Sequence, residues 1–165
     1  MNSIDINEVD KSQFKCYKFP DGSIYFGEVA YLDESENFVH DLDKYNDDMM
    51  KKLKLLRHGL GVQLFGVTDN SSICRYEGYW EKDKKNGQGI CFFPDKSIYD
   101  GTFVDDLFDG YGKFSWSNND IYIGEWKDGR MDGEGEFKHN DGHILKGKFR
   151  NNYHFDVKYF LKFKF

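Results

Sequence analysis

One pattern returns at a fixed spacing through the second half of this chain. Tyr76-Glu77-Gly78-Tyr79-Trp80, Tyr99-Asp100-Gly101-Thr102-Phe103, Tyr122-Ile123-Gly124-Glu125-Trp126 and Leu145-Lys146-Gly147-Lys148-Phe149 each begin 23 residues after the last. A period of this size marks a stacked array, whose units cannot bury an apolar face alone and depend on their neighbours. Each unit continues into a segment that opens Gly-x-Gly, at Gly87-Gln88-Gly89, Gly110-Tyr111-Gly112 and Gly133-Glu134-Gly135. The glycine and aromatic columns share the tyrosine's parity, and alternation along a strand sends one parity to one face. The pattern predicts successive β-hairpins with a single aromatic face, on which the glycines leave room for large rings.

Composition supports strands over helices, with Phe and Tyr dominant at 16 and 11 residues and only 2 prolines. The array also starts early, since Phe19-Pro20-Asp21-Gly22-Ser23-Ile24-Tyr25 echoes Phe93-Pro94-Asp95-Lys96-Ser97-Ile98-Tyr99. Tyr25 opens a unit whose Gly59-Leu60-Gly61 comes late, 34 residues after the tyrosine rather than 11, so about 23 residues are inserted at about 30–57. Leu42, Tyr45, Met49, Leu53 and Leu56 recur at helical steps, with Asp41, Asp43, Asp47 and Asp48 before Lys51, Lys52, Lys54 and Arg57, as a helix macrodipole favours. The insertion is therefore predicted to be an α-helix. On the face opposite the rings, Phe26, Val62, Leu64, Tyr79, Ile90 and Phe92 are apolar, and this helix is expected to cover them. The organisation read from the chain is a lead-in at 1–13, a hairpin array at 14–155 and a capping strand at 156–165.

A net charge of -6 argues against nucleic acid as a partner. The charge is unevenly placed. From residue 145 onward Lys146, Lys148, Arg150, Lys158, Lys162 and Lys164 stand against Asp156, a local +5 that leaves -11 on the preceding chain. These six residues are candidates for contact with anionic lipid or an acidic partner, beside two other readings: a solvated strand, and an edge that pairs with another chain, including a second copy to give a homodimer. No apolar run reaches the roughly 20 residues of a membrane helix, and Met1, Asn2 and the acidic lead-in carry no leader or myristoylation pattern. The expectation is a soluble cytoplasmic protein whose membrane association is at most peripheral.

Little in the chain points to chemistry. Cys16, Cys74 and Cys91 form no CxxC pair and read as reduced thiols. His139 and His143 flank a turn, and Asp105, Asp106 and Asp109 span a hairpin without the spacing of a calcium loop, so neither a metal nor another cofactor is expected. No nucleophile motif or phosphate-cradling loop occurs, and no catalytic residue is assigned.

These repeats resemble the MORN (membrane occupation and recognition nexus) family, whose unit begins YxGxW/F, continues GxGxF and closes on an Asp- or Asn-Gly turn. Tyr122-Ile123-Gly124-Glu125-Trp126, Gly133-Glu134-Gly135-Glu136-Phe137 and Asp141-Gly142 carry the motif closely. The resemblance implies an elongated, single-layer antiparallel sheet of stacked hairpins. It also implies a non-enzymatic scaffold or adaptor that holds a partner peptide or helix along its aromatic groove, that can dimerise through terminal repeats, and that associates with membranes and cytoskeletal structures, often in protists. The residues expected to line that groove are Trp80, Tyr99, Phe103, Phe114, Trp116, Tyr122, Trp126 and Phe137.

Overall fold

The computed structural model describes residues 14–66 and 73–155, together with the backbone of Lys158–Phe160. The lead-in at 1–13, Lys162, Lys164 and the side chain of Lys158 lie outside the described residues. Strands β1 (Lys15–Lys18), β2 (Ile24–Leu32), β3 (Lys54–Leu64), β4 (Arg75–Glu81), β5 (Lys84–Phe92), β6 (Ile98–Val104), β7 (Leu107–Ser115), β8 (Ile121–Lys127), β9 (Arg130–Lys138), β10 (Ile144–Arg150) and β11 (Tyr153–His154) pair in sequence order. β12 (Lys158–Phe160) returns to pair with β10. The result is one open antiparallel sheet of consecutive hairpins, as the repeat predicts.

Each repeat folds around a tyrosine laid across two glycines. In register, Gly27 faces Gly61, Gly78 faces Gly89, Gly101 faces Gly112 and Gly124 faces Gly135. Over these pairs lie the rings of Tyr25, Tyr76, Tyr99 and Tyr122, so close that a Cβ on Gly89 would run into the Tyr76 ring. Immediately beyond, the hairpin bulges, with three residues of the second strand facing one of the first. The tyrosine hydroxyl donates to the carbonyl of that single residue: Glu28 (2.7 Å), Tyr79 (2.8 Å), Thr102 (2.9 Å) and Glu125 (3.0 Å). The other conserved-spacing glycine has a different task. Gly59, Gly87, Gly110 and Gly133 sit in the bulge at φ between 76° and 114°, where side-chain-bearing residues are strained.

The core is an interleaved row of rings. Trp80 packs edge-on between Tyr25 and Tyr76, Phe103 between Tyr76 and Tyr99, and Trp126 between Tyr99 and Tyr122, with Phe149 closing the row on Tyr122. Centroids are 4.9–5.8 Å apart and the planes cross at 76–88°, the edge-to-face geometry that aromatic quadrupoles favour. All of these residues are 6% exposed or less.

Two-residue turns stitch neighbouring repeats together. Lys82-Asp83, Asp105-Asp106, Asp128-Gly129 and Asn151-Asn152 have positive φ at both positions, as type I′ hairpins require. The second residue of each turn donates its N–H to the preceding repeat, at the carbonyls of Arg57, Lys85, Phe108 and Met131. Asp83, Asp106 and Asn152 also accept from the N–H of the same strands through their side chains, at 2.7–2.9 Å.

The insertion departs from expectation. Only a single 3-10 turn (Leu42–Lys44) and one turn of helix, α1 (Asp47–Met50), form; Asn46 caps α1 by accepting from the N–H groups of Asp48 and Met49. Leu56 belongs instead to β3, 2% exposed and paired with Ala30, because β2 and β3 run past their bulge and pair again from Val29–Arg57 to Leu32–Lys54. Lengthening an existing hairpin adds hydrogen bonds to a formed ladder, whereas a short helix must first meet its nucleation cost. Nor does α1 cover the opposite face, where Phe26, Leu64 and Tyr79 remain 42–44% exposed. The ring beside Phe26 is that of Phe14, at 5.2 Å.

Two substitutions test this account. Tyr99→Phe should lower unfolding free energy by about 1 kcal/mol through loss of one hydrogen bond. Gly89→Ala should cost more, about 1–3 kcal/mol or greater, because the methyl displaces the Tyr76 ring. Chemical denaturation midpoints check both, and a Gly89→Ala protein as stable as the parent would overturn the ring-over-glycine description.

Candidate functional site

Most of the aromatic face is closed by its own core. Of the eight predicted groove residues, Trp80, Tyr99, Phe103, Tyr122 and Trp126 are 6% exposed or less, so the face offers them to no partner. Phe114, Trp116 and Phe137 are half-buried and adjoin one another, at 4.6 Å for Phe114 to Trp116 and 5.2 Å for Trp116 to Phe137. The structure extends this group at both ends. Phe93 lies 5.5 Å from Phe114 and His139 lies 4.7 Å from Phe137, giving a ladder of Phe93, Phe114, Trp116, Phe137 and His139. Phe93 and His139 occupy the column of Trp116, one repeat before and one after, so the 23-residue spacing already contained them.

Backbone geometry sets the ladder on the edge of the core. Phe93, Trp116 and His139 each begin the turn that joins one repeat to the next, with an N–H donated to the carbonyl of Ser97, Asp120 and His143 respectively. Side chains at position three of each turn complete it, as Asp95 accepts from Ser97 N–H, Asn118 from Asp120 N–H and Asp141 from His143 N–H. Successive turns are tied together where Asn140 donates its N–H to Asp120 and its amide to the Asn118 carbonyl. Rings at strand ends thus stand on a fixed frame.

A second feature lies toward the N-terminal side of the same face. The strand positions facing Val29, Trp80, Phe103 and Trp126 hold Arg57, Lys85, Phe108 and Met131 in turn. Arg57 covers Trp80 at 4.2 Å and donates to Asp83 and Gln63, while Lys85 approaches Tyr76 and Trp80 at 5.8 Å and pairs with Asp106 at 2.7 Å. Phe108 instead stacks on Tyr99 at 3.7 Å. From the sequence Arg57 was read as one of the cations ending the expected helix, and Lys85 was not singled out.

Electrostatics follow burial. Desolvation pushes the hydroxyls of Tyr25, Tyr76, Tyr99 and Tyr122 well above the usual tyrosine range, and raises the Cys91 thiol to about 12. Asp106 is held below the usual carboxylate range; desolvation opposes this, but hydrogen bonds from the Lys85 ammonium and backbone N–H outweigh it. Of the basic candidates, Lys146 faces Glu136 and Lys148 lies 4.0 Å from Glu134, while the Arg150 guanidinium rests 5.1 Å over the Phe155 ring. Among the described residues no group of His, Cys, Asp and Glu could hold a metal ion, and no helix is long and apolar enough to cross a membrane.

Comparison with known proteins identifies the repeat. Residues 76–98, 99–121 and 122–144 match the family model of the MORN repeat. No curated protein matches the chain. Among solved structures, the TCP domain of SAS-4 (dCPAP) in complex with a proline-rich motif of Ana2 (dSTIL), from Drosophila melanogaster, aligns at 16% identity over 82% of this chain and 77% of that one, with a TM-score of 0.34. At that level of likeness no property of that domain transfers to this chain.

Two measurements follow. Cys16 and Cys74 are exposed and Cys91 is buried, so a thiol reagent should label two cysteines of the folded described region quickly and the third only on unfolding, as mass spectrometry can count. The folded-state pKa of Asp106 is depressed, so its contribution to stability is present above the unfolded value near 4 and is lost as pH falls through the folded value. Asp106→Asn should therefore flatten the acid limb of a stability–pH curve below about pH 4.

Proposed function

Residues 76–144 of this chain are three consecutive MORN repeats, and from that premise we propose that it is an interaction scaffold binding a protein segment, peptide or helix, on the ladder Phe93, Phe114, Trp116, Phe137 and His139. MORN repeats are a non-enzymatic repeat family. The observation that carries the reading is contiguous exposure: beside a row of rings closed into the core, from Tyr76 and Trp80 to Tyr122 and Trp126, five adjoining rings stay half-open on a frame of hydrogen-bonded turns. Tryptophan and its aromatic neighbours are the common anchors of interfaces, because they bury large area with few rotatable bonds.

A peripheral lipid role through the C-terminal cations has less support. Lys146 and Lys148 lie beside carboxylates, which reduces the charge they can present to an anionic surface.

The test is capture of cellular partners by the full chain, compared with Trp116→Ala and the double variant Trp116→Ala/Phe137→Ala. Loss of a ring at an interface hot spot costs about 2 kcal/mol or more, so specific partners should fall by roughly thirtyfold in affinity while circular dichroism remains that of the parent. Undiminished capture by the folded double variant would remove the ladder from the interface. Phe103→Ala is unsuitable for this purpose, since truncating so buried a ring should cost about 3–5 kcal/mol of stability.

A further inference from the structure

The aromatic face changes polarity along the array. Toward the N-terminal side it carries Arg57 and Lys85, each already engaged by an aspartate of the next turn. From Tyr99 to the ladder's end the corresponding positions are Phe108 and Met131, and the ring and glycine columns of residues 99–139 contain no Lys or Arg. The rim beside the ladder is acidic. Asp95 and Asp141 project from exposed turns, and each carboxyl is held below its usual range chiefly by a backbone N–H, of Ser97 and His143 respectively. Asp120 stands in the turn between them, and Lys96 is the one Lys or Arg among the three turns. Residues 99–144 hold eleven Asp and Glu against four Lys and Arg, whereas residues 76–98 hold four of each.

We propose that the segment seated on the ladder is basic, with Lys or Arg flanking its apolar or aromatic anchors. This rests on the ladder being the partner-binding surface. An acidic segment would bring its carboxylates to the Asp95, Asp120 and Asp141 rim, while Arg57 and Lys85 on the ring face are already paired with Asp83 and Asp106. A neutral segment would gain from ring burial alone. A basic segment gains both burial and Coulomb attraction, and the negative field of the second and third repeats steers its approach.

The test uses the full chain and three synthetic peptides of about fifteen residues, sharing the same Leu and Phe anchors and differing only in flanking Lys, Gln or Glu. Calorimetric titration should give the Lys peptide about tenfold or more tighter binding than the Gln peptide at low salt, with the gap closing as the Debye length shortens, and no binding of the Glu peptide. Asp95→Asn/Asp141→Asn should weaken the Lys peptide several-fold and leave the Gln peptide unchanged. That double variant keeps its turns, because Asn118 already makes the same turn bond between those positions. Equal affinity for the Lys and Gln peptides, or tighter binding of the Glu peptide, would overturn the charge assignment while leaving the ladder reading intact if Trp116→Ala still abolishes binding. If Trp116→Ala changes nothing, or if the ladder proves to be covered by a second copy in sedimentation experiments, the ladder reading itself falls.

Discussion

The hydrogen bond from each tyrosine hydroxyl to the carbonyl opposite the bulge is the constraint on which the rest of this molecule depends. To make it, the ring must lie flat along its own hairpin, and it can do so only where two facing glycines leave the surface bare. With the ring down, its edges are presented sideways to the Trp or Phe of its own repeat and of the next. A single sheet, which has no second layer to close its face, in this way builds a core one ring thick. The bulge that exposes the carbonyl also requires a positive φ, which explains why the unit carries three glycines rather than two.

That arrangement is local within a repeat and cooperative between repeats. Every core ring is shared by two units, and every type I′ turn returns hydrogen bonds to the hairpin before it. Loss of one ring therefore loosens both neighbours, as expected of a one-dimensional stack. The split first unit obeys the same geometry: Tyr25 bonds to Glu28, Gly27 faces Gly61, and Trp80 packs on Tyr25, although the insertion separates its two strands in sequence. Outside residues 76–144 the repeat thus persists in structure where its sequence is less regular.

The face left over after core formation carries the proposed interaction surface. Rings at the inner columns are consumed by packing. Those at the strand ends, raised on the turn frame, are half-open and run across three repeats. Toward the N-terminal side the same face is overlaid by Arg57 and Lys85, whose positive charge is matched by neighbouring aspartates. One surface thus combines a closed, charge-compensated part with an open, aromatic and acid-rimmed part.

How far this could be read beforehand differs between elements. The period, the hairpin pairing and the parity of the ring face were legible because each depends on residues within one unit and recurs in the next. The helix was misjudged for the opposite reason: Leu42, Tyr45, Met49, Leu53 and Leu56 have helical spacing, but Leu56 is drawn into β3 by Ala30 and the extended ladder, a contact invisible at that range of sequence. The groove was misjudged in part, since parity places Phe103 and Phe114 on one face without distinguishing a ring pinned between two tyrosines from one standing at a strand end. By itself, then, the sequence determined the repeat, the sheet and the sidedness of its rings, all of which follow from spacing. Only the tertiary structure decided which rings became core and which stayed open, because exposure depends on what the neighbouring repeats have already covered.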